Sequence, residues 1–188
     1  MQAEELAEFV ERVTAMRDPY ESGHSKRVAE YAVDLAQALG LTTEQTASIR
    51  RGGLLHDIGK LAIREDVLNK TGKLAKAEMY MVQRHATLGL NLIYDYRFGE
   101  DVEKAILHHH EDWDGGGYPD GLSGEAIPLP ARILRIADAY EALTSARPYR
   151  GALSATEAIE NMRLGAGRKY DARLFSVFEE LVVQEATI

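Results

Sequence analysis

Cysteine is missing from this 188-residue chain. That excludes disulfides, thiolate nucleophiles and cysteine-built zinc sites, and it suits a reducing compartment. Proline is scarce, and none occurs between Pro19 and Pro119, so a hundred residues are free of the commonest helix breaker. No apolar run approaches the roughly 18 residues of a membrane span. The first residues, Met1-Gln2-Ala3-Glu4-Glu5, are acidic and lack the apolar centre of a secretory signal. Positive charge is in deficit: 22 Lys and Arg stand against 30 Asp and Glu, a net charge of −8. General nucleic-acid binding wants a basic face and is disfavoured. A small phosphate ligand is not excluded, because a metal centre can supply local positive charge. The expectation is a soluble cytoplasmic protein.

Apolar residues make up 45% of the chain, enough for the core of one ordinary domain. Their spacing is helical nearly throughout. Leu6, Phe9, Val10, Val13 and Met16 mark a first helix before Pro19. Val28, Tyr31, Ala32, Leu35 and Leu39 mark a second over about 22–39, with Gly40 placed to end it. Thr42 and Gln45 form a capping box for a third. Helices are expected over about 75–84, 86–97, 101–110, 130–145, 154–164 and 171–186. Residues 62–74 and 111–129 read as loops. The second loop contains Asp114-Gly115-Gly116-Gly117-Tyr118-Pro119-Asp120-Gly121, which cannot hold a helix. No segment alternates with period two. The fold expected is an all-α bundle with one long glycine-rich loop, and loops of that length are commonly functional.

The chemistry concentrates in Leu54-Leu55-His56-Asp57-Ile58-Gly59-Lys60. An imidazole and a carboxylate sit side by side at a helix end, and Lys60 follows where it could face a bound anion. The other histidines are His24, His85, His108, His109 and His110. A lone histidine is most often a surface or satisfied core residue. Consecutive His109 and His110 at a helix end diverge, however, so they need a compact cluster to share a target. Asp138 lies inside the apolar stretch Ile133-Leu134-Arg135-Ile136-Ala137-Asp138-Ala139. A buried carboxylate there is costly unless a metal or an arginine compensates it.

His56-Asp57, then His85 with Gly89, then His109-His110-Glu111 with Asp114-Gly115 and Gly117-Tyr118-Pro119 resemble the HD-GYP family of HD phosphohydrolases. Gly23-His24-Ser25-Lys26-Arg27-Val28 upstream and Arg147-Pro148-Tyr149-Arg150 downstream also match. The resemblance covers about residues 18–180. It implies a domain over 19–188, preceded by a helix or linker at 1–18. It also implies a metal-dependent phosphodiesterase that hydrolyses cyclic di-GMP to pGpG, GMP or both.

Carried over by position, His24, His56, Asp57 and Asp138 would hold one divalent ion. Asp57, His85, His109 and His110 would hold a second, with Asp57 shared. Seven ligands, one used twice, fill eight of about twelve positions around two octahedral ions, leaving room for solvent and phosphate oxygens. Imidazole and carboxylate donors suit iron, manganese or zinc, and the resemblance favours iron or manganese. Asp57 and Lys60 would be catalytic. Lys60, Tyr118, Arg147 and Arg150 would contact substrate, since a guanidinium forks onto phosphate oxygens. Arginines that merely pair with acidic neighbours would look the same in sequence. Trp113 and His108 are expected to pack, or in the case of His108 to face solvent. In the family this sequence resembles, the glycine-rich loop is implicated in contacts with GGDEF-domain proteins, which implies such a partner here. Members with three ions use a glutamate four residues before the first histidine ligand; here that position is Tyr20, so two ions are expected. Alternatives are a phosphohydrolase acting on another nucleotide and a non-catalytic adaptor. The complete set of competent ligands argues against the adaptor.

Overall fold

The computed structural model describes residues 3–17, 23–146 and 151–185. Tyr20, Arg147 and Arg150 lie outside them. The described residues form helices and connecting turns, with no β-strand among them. The helices are α1 (Ala3–Arg17), α2 (His24–Ala38), α3 (Thr43–Leu55), α4 (Glu65–Leu68), α5 (Lys76–Gln83), α6 (His85–Ile93), α7 (Glu100–His108), α8 (Leu129–Thr144), α9 (Ala155–Arg163) and α10 (Ala172–Glu185). No helix among them is long and apolar enough to cross a membrane.

Local chemistry sets the boundaries. Thr42 accepts from the Gln45 amide, and the Gln45 side chain accepts from the Thr42 amide, so α3 starts on the expected capping box. Ser154 and Glu157 do the same for α9. Pro130 falls in the first turn of α8, where its missing N–H costs nothing. α2 closes with Gly40 at φ 72°, the Leu41 amide reaching the Ala36 carbonyl at 3.1 Å.

Two apolar clusters hold the bundle. The larger joins α2, α3, α8, α9 and α10 through residues such as Leu35, Ile133, Leu134, Ile159 and Phe178. The smaller gathers Ala29, Leu54, Leu55, Ile93, Val102 and Ile106. Leu6 and Val10 of α1 pack on this second cluster, so the first helix lies against the bundle.

Two expectations need correction. The 62–74 segment contains α4, a single helical turn too short to leave a periodic signal. A short 3-10 helix over Ile58–Ala62 precedes it. α7 ends at His108 rather than 110, which puts His109 and His110 in the turn. That ending lets consecutive side chains reach one centre, as the adjacent histidines required.

Gly59 governs how close two elements come. A Cβ there would lie 1.8 Å from the His85 carbonyl oxygen and 2.5 Å from the Gly89 amide. The 3-10 helix and α6 therefore touch backbone to backbone. This contact brings His85, the first residue of α6, beside Asp57.

Candidate metal centre

Seven residues converge from five parts of the bundle. His24 opens α2; His56 and Asp57 follow α3; His85 opens α6; His109 and His110 follow α7; Asp138 sits midway along α8. Asp57, His85, His109 and His110 form one group whose ligand atoms lie within 4.8 Å of one another. His24, His56 and Asp138 form another. Asp57 faces both. Its Oδ1 is 3.2 Å from His85 Nε2. Its Oδ2 is 3.1 Å from His56 Nε2 and 3.7 Å from His24 Nε2. His24 Nε2 also lies 3.4 Å from Asp138 Oδ1. All seven sequence-expected ligand positions fall in these two groups.

The imidazoles are oriented by their other nitrogens. His56, His85 and His109 each donate Nδ1–H to a backbone carbonyl three residues earlier: Gly53 at 2.7 Å, Val82 at 2.8 Å and Ile106 at 2.7 Å. Their Nε2 lone pairs are thereby aimed inward, the orientation a metal ligand needs. His85 Nε2 and His109 Nε2 lie 3.2 Å apart. Two lone pairs facing at that distance repel unless a cation lies between them. His56 Nε2 and Asp57 Oδ1 are buried with no hydrogen-bond partner, a costly state for polar atoms. The donor set therefore fits divalent metal ions.

Electrostatics agree. Burial depresses His85. Burial, then the neighbouring imidazoles, holds His109 well down. Burial likewise brings His110 to about 3. These three are neutral and able to ligate. Burial also pulls on His56, but Asp57 beside it outweighs this and the net shift is upward. For Asp57, burial is outweighed by Lys60 and His56, and its carboxyl sits well below the usual range. Asp138 behaves similarly, with His24 as the compensating partner. Lys60 Nζ rests 2.8 Å from Asp57 Oδ2, at the edge of the centre.

Sequence reasoning missed Glu141. Its Oε2 meets His24 Nδ1 in a short hydrogen bond. Its Oε1 accepts two bonds from Arg27, at 2.8 and 2.6 Å, and one from Ser145 at 2.6 Å. Burial opposes its ionisation, yet these partners bring it down to about 2. Glu141 stands behind His24 as a carboxylate that fixes the orientation of the imidazole, the kind of support that metal-ligating histidines receive. The available signal was its spacing: three residues after Asp138, on the same face of α8.

The glycine-rich loop is pinned to the centre. Buried Glu111 accepts from the amides of Asp120 at 2.8 Å, Gly121 at 3.1 Å and Leu122 at 3.1 Å. Asp112 Oδ1 takes a fork from Arg135 at 3.0 and 2.8 Å. The Tyr118 amide reaches the His110 carbonyl at 3.1 Å, and the Tyr118 ring lies 4.8 Å from the His110 ring. Burial raises the Tyr118 phenol, so it stays neutral and can donate. Trp113 packs under Arg132, whose guanidinium carbon is 5.8 Å from its ring centre. His108 is buried and does not face solvent. It lies near Glu111 and Asp120 rather than in either ligand group.

A family model described as HD domain matches residues 8–174. The chain is 42% identical over 175 residues to 3'3'-cGAMP-specific phosphodiesterase 1 of Vibrio cholerae, covering 92% of this chain and 40% of that protein. It is also 42% identical over 164 residues to the cyclic di-GMP phosphodiesterase response regulator RpfG of Xanthomonas campestris, covering 86% and 43%. The chain thus spans about two fifths of the length of these relatives. The crystal structure of a cyclic GMP-AMP specific phosphodiesterase of V. cholerae superposes with a TM-score of 0.73 at 23% identity. That match covers 96% of this chain and 49% of the other, and it speaks to the fold.

Proposed function

Because the chain belongs to the HD domain family, and within it to the HD-GYP group, we propose that it is a metal-dependent phosphodiesterase that hydrolyses cyclic di-GMP to pGpG, GMP or both. The observation that carries this is Asp57, whose two oxygens face two separate groups of histidines. In this reading His24, His56, Asp57 and Asp138 hold one divalent ion, and Asp57, His85, His109 and His110 hold the other. Iron or manganese fits the donors best, with zinc compatible. Two ions, when bound, supply Lewis acidity to the phosphate and lower the pKa of nearby water.

The chain's own groups do the rest. Glu141 and the three backbone carbonyls keep the imidazoles in the ligating tautomer. Lys60 adds positive charge where a phosphate would dock. The neutral Tyr118 phenol offers a hydrogen bond on the loop side. Arg147 and Arg150 are assigned to the substrate's phosphates. Two ions rather than three follow from Tyr20, since a phenol with a pKa of about 10 is a poor ligand for these metals. Residues 19–188 form the catalytic unit, with 1–18 leading into it. A GGDEF-domain protein is assigned to the outer side of the glycine-rich loop.

A second substrate has a specific observation behind it. The relative named for 3'3'-cGAMP is as similar in sequence as the one named for cyclic di-GMP. Metal-loaded protein, assayed for metal content and for products from both nucleotides in the same sample, decides the matter. A fully loaded protein that cleaves neither overturns the phosphodiesterase assignment.

A further inference from the structure

A groove of about 500 Å³ opens beside the metal centre, lined by Tyr80, Gln83, Arg84, Thr87, Tyr118 and Pro119. Two features tie it to the His-Asp cluster. Tyr118 belongs to both, its ring lying 4.8 Å from the His110 ring and 6.4 Å from that of His85. Arg84 and Thr87 flank His85 in sequence, at the start of α6. A substrate whose phosphate sat at the cluster would have its next group within reach of this groove.

The lining suits a nucleobase better than a second phosphate. Tyr80, Tyr118 and Pro119 offer flat, largely apolar surfaces, and aromatic rings are the usual platforms for bases. Among the described residues, Arg84 is the one cation that lines the groove. Gln83, Arg84 and Thr87 supply hydrogen-bonding groups for a base edge. Arg84 is exposed, and no ion pair or side-chain hydrogen bond engages it among the described residues.

A guanidinium carries donors only. Guanine presents two adjacent acceptors, N7 and O6, which that fork matches. Adenine presents N7 beside the N6 amino group, itself a donor, so the second half of the fork meets no acceptor. We propose that this groove is a guanine-binding subsite and that Arg84 selects guanine over adenine. The assignment rests on the cyclic dinucleotide reading above and adds a base preference to it.

The test is the ratio of kcat/KM for cyclic di-GMP to that for cyclic di-AMP, measured on the metal-loaded protein and its variants. A ratio cancels defects of folding or metal loading, which lower both substrates alike. The wild type is expected to prefer cyclic di-GMP. Arg84→Ala should reduce the ratio by about tenfold, mostly through KM, in line with the worth of one bidentate base contact. Arg84→Lys should retain part of the preference. Arg84→Gln should move it towards adenine, because a carboxamide offers one donor and one acceptor. An unchanged ratio in Arg84→Ala and Arg84→Gln overturns the guanine subsite while leaving the phosphodiesterase assignment standing. Failure of the loaded wild type to cleave either of these nucleotides or 3'3'-cGAMP overturns both.

Discussion

A carboxylate serves two cations most directly when each oxygen faces a different one, and the two oxygens of Asp57 point to different groups. One oxygen faces His85, and the other faces His56, His24 and Lys60. Asp57→Ala should therefore strip metal and activity together, as read by elemental analysis and product formation. Lys60→Ala should lower turnover while metal content stays intact; loss of metal in that variant would show that its role has been misassigned. Glu141→Gln tests the support behind His24. Removing such a partner costs about ten- to a hundredfold in metal affinity, measurable by chelator competition, and an unchanged affinity would show that Glu141 does not support the ligand. Among the seven candidate ligands, His24 and His85 were assigned through the family resemblance, while His56-Asp57, His109-His110 and Asp138 were legible in themselves: an imidazole beside a carboxylate, histidines side by side, and a carboxylate in an apolar stretch. Glu141 was not, because a glutamate in a helix ordinarily faces water. Its burial depends on how α2 meets α8, through Arg27 and His24, and no single segment contains that information.

Between elements, the tightest constraint is the contact of Gly59 with α6. Gly59→Ala would put a methyl group 1.8 Å from the His85 carbonyl oxygen, so the two backbones must separate. Overpacking of this kind costs about 1–3 kcal/mol, or a fall in Tm of a few degrees for a chain this long. His85 should move with its helix, so the variant should also bind less metal; normal metal content with a lowered Tm would separate packing from ligand placement. The longer helices were legible through their period and caps, as at Thr42 and Pro130. The single turn of α4 and the 3-10 helix after Asp57 were not, because four or five residues cannot display a 3.6-residue repeat. The end of α7 at His108 was equally hidden, since His109 and His110 continue the helical pattern in composition while departing from it in space.

For the molecule as a whole, the candidate ligand residues come from α2, α3, α6, α7 and α8 or their ends, so bound metal should act as a cross-brace. A bound ion at a hundred times its Kd adds about 2.7 kcal/mol, and metal loading should raise Tm in a concentration-dependent way. Without metal the same residues make the protein acid-sensitive. His85, His109 and His110 are held below their ordinary pKa by burial. Below about pH 6.5 the unfolded chain takes up protons that the folded one refuses, and each such histidine costs about 1.4 kcal/mol per pH unit. His56 is shifted upward and opposes this, stabilising the fold at low pH and losing that effect as pH rises through its folded value. With burial depressing His85, His109 and His110 together, the metal-free protein should lose denaturant resistance from about pH 6.5 towards about 5. Asp57, Asp138 and Glu141, all shifted down, add a second loss below about pH 4. A flat profile over the upper range would contradict the neutral imidazoles. The all-α class and the site's membership were visible in the chain, whereas the fixity of its glycine-rich loop was not. Gly117 has no space for a side chain, since a Cβ would lie 2.2 Å from the Asp112 amide nitrogen. Three consecutive amides, of Asp120, Gly121 and Leu122, end on one carboxylate, and the Asp114 amide ends on the Arg168 carbonyl at 2.8 Å. In deuterated water these amides should exchange slowly, at rates closer to those of a helix than of a linker: a segment whose composition suggests slack would behave as a solid rim around the histidine cluster.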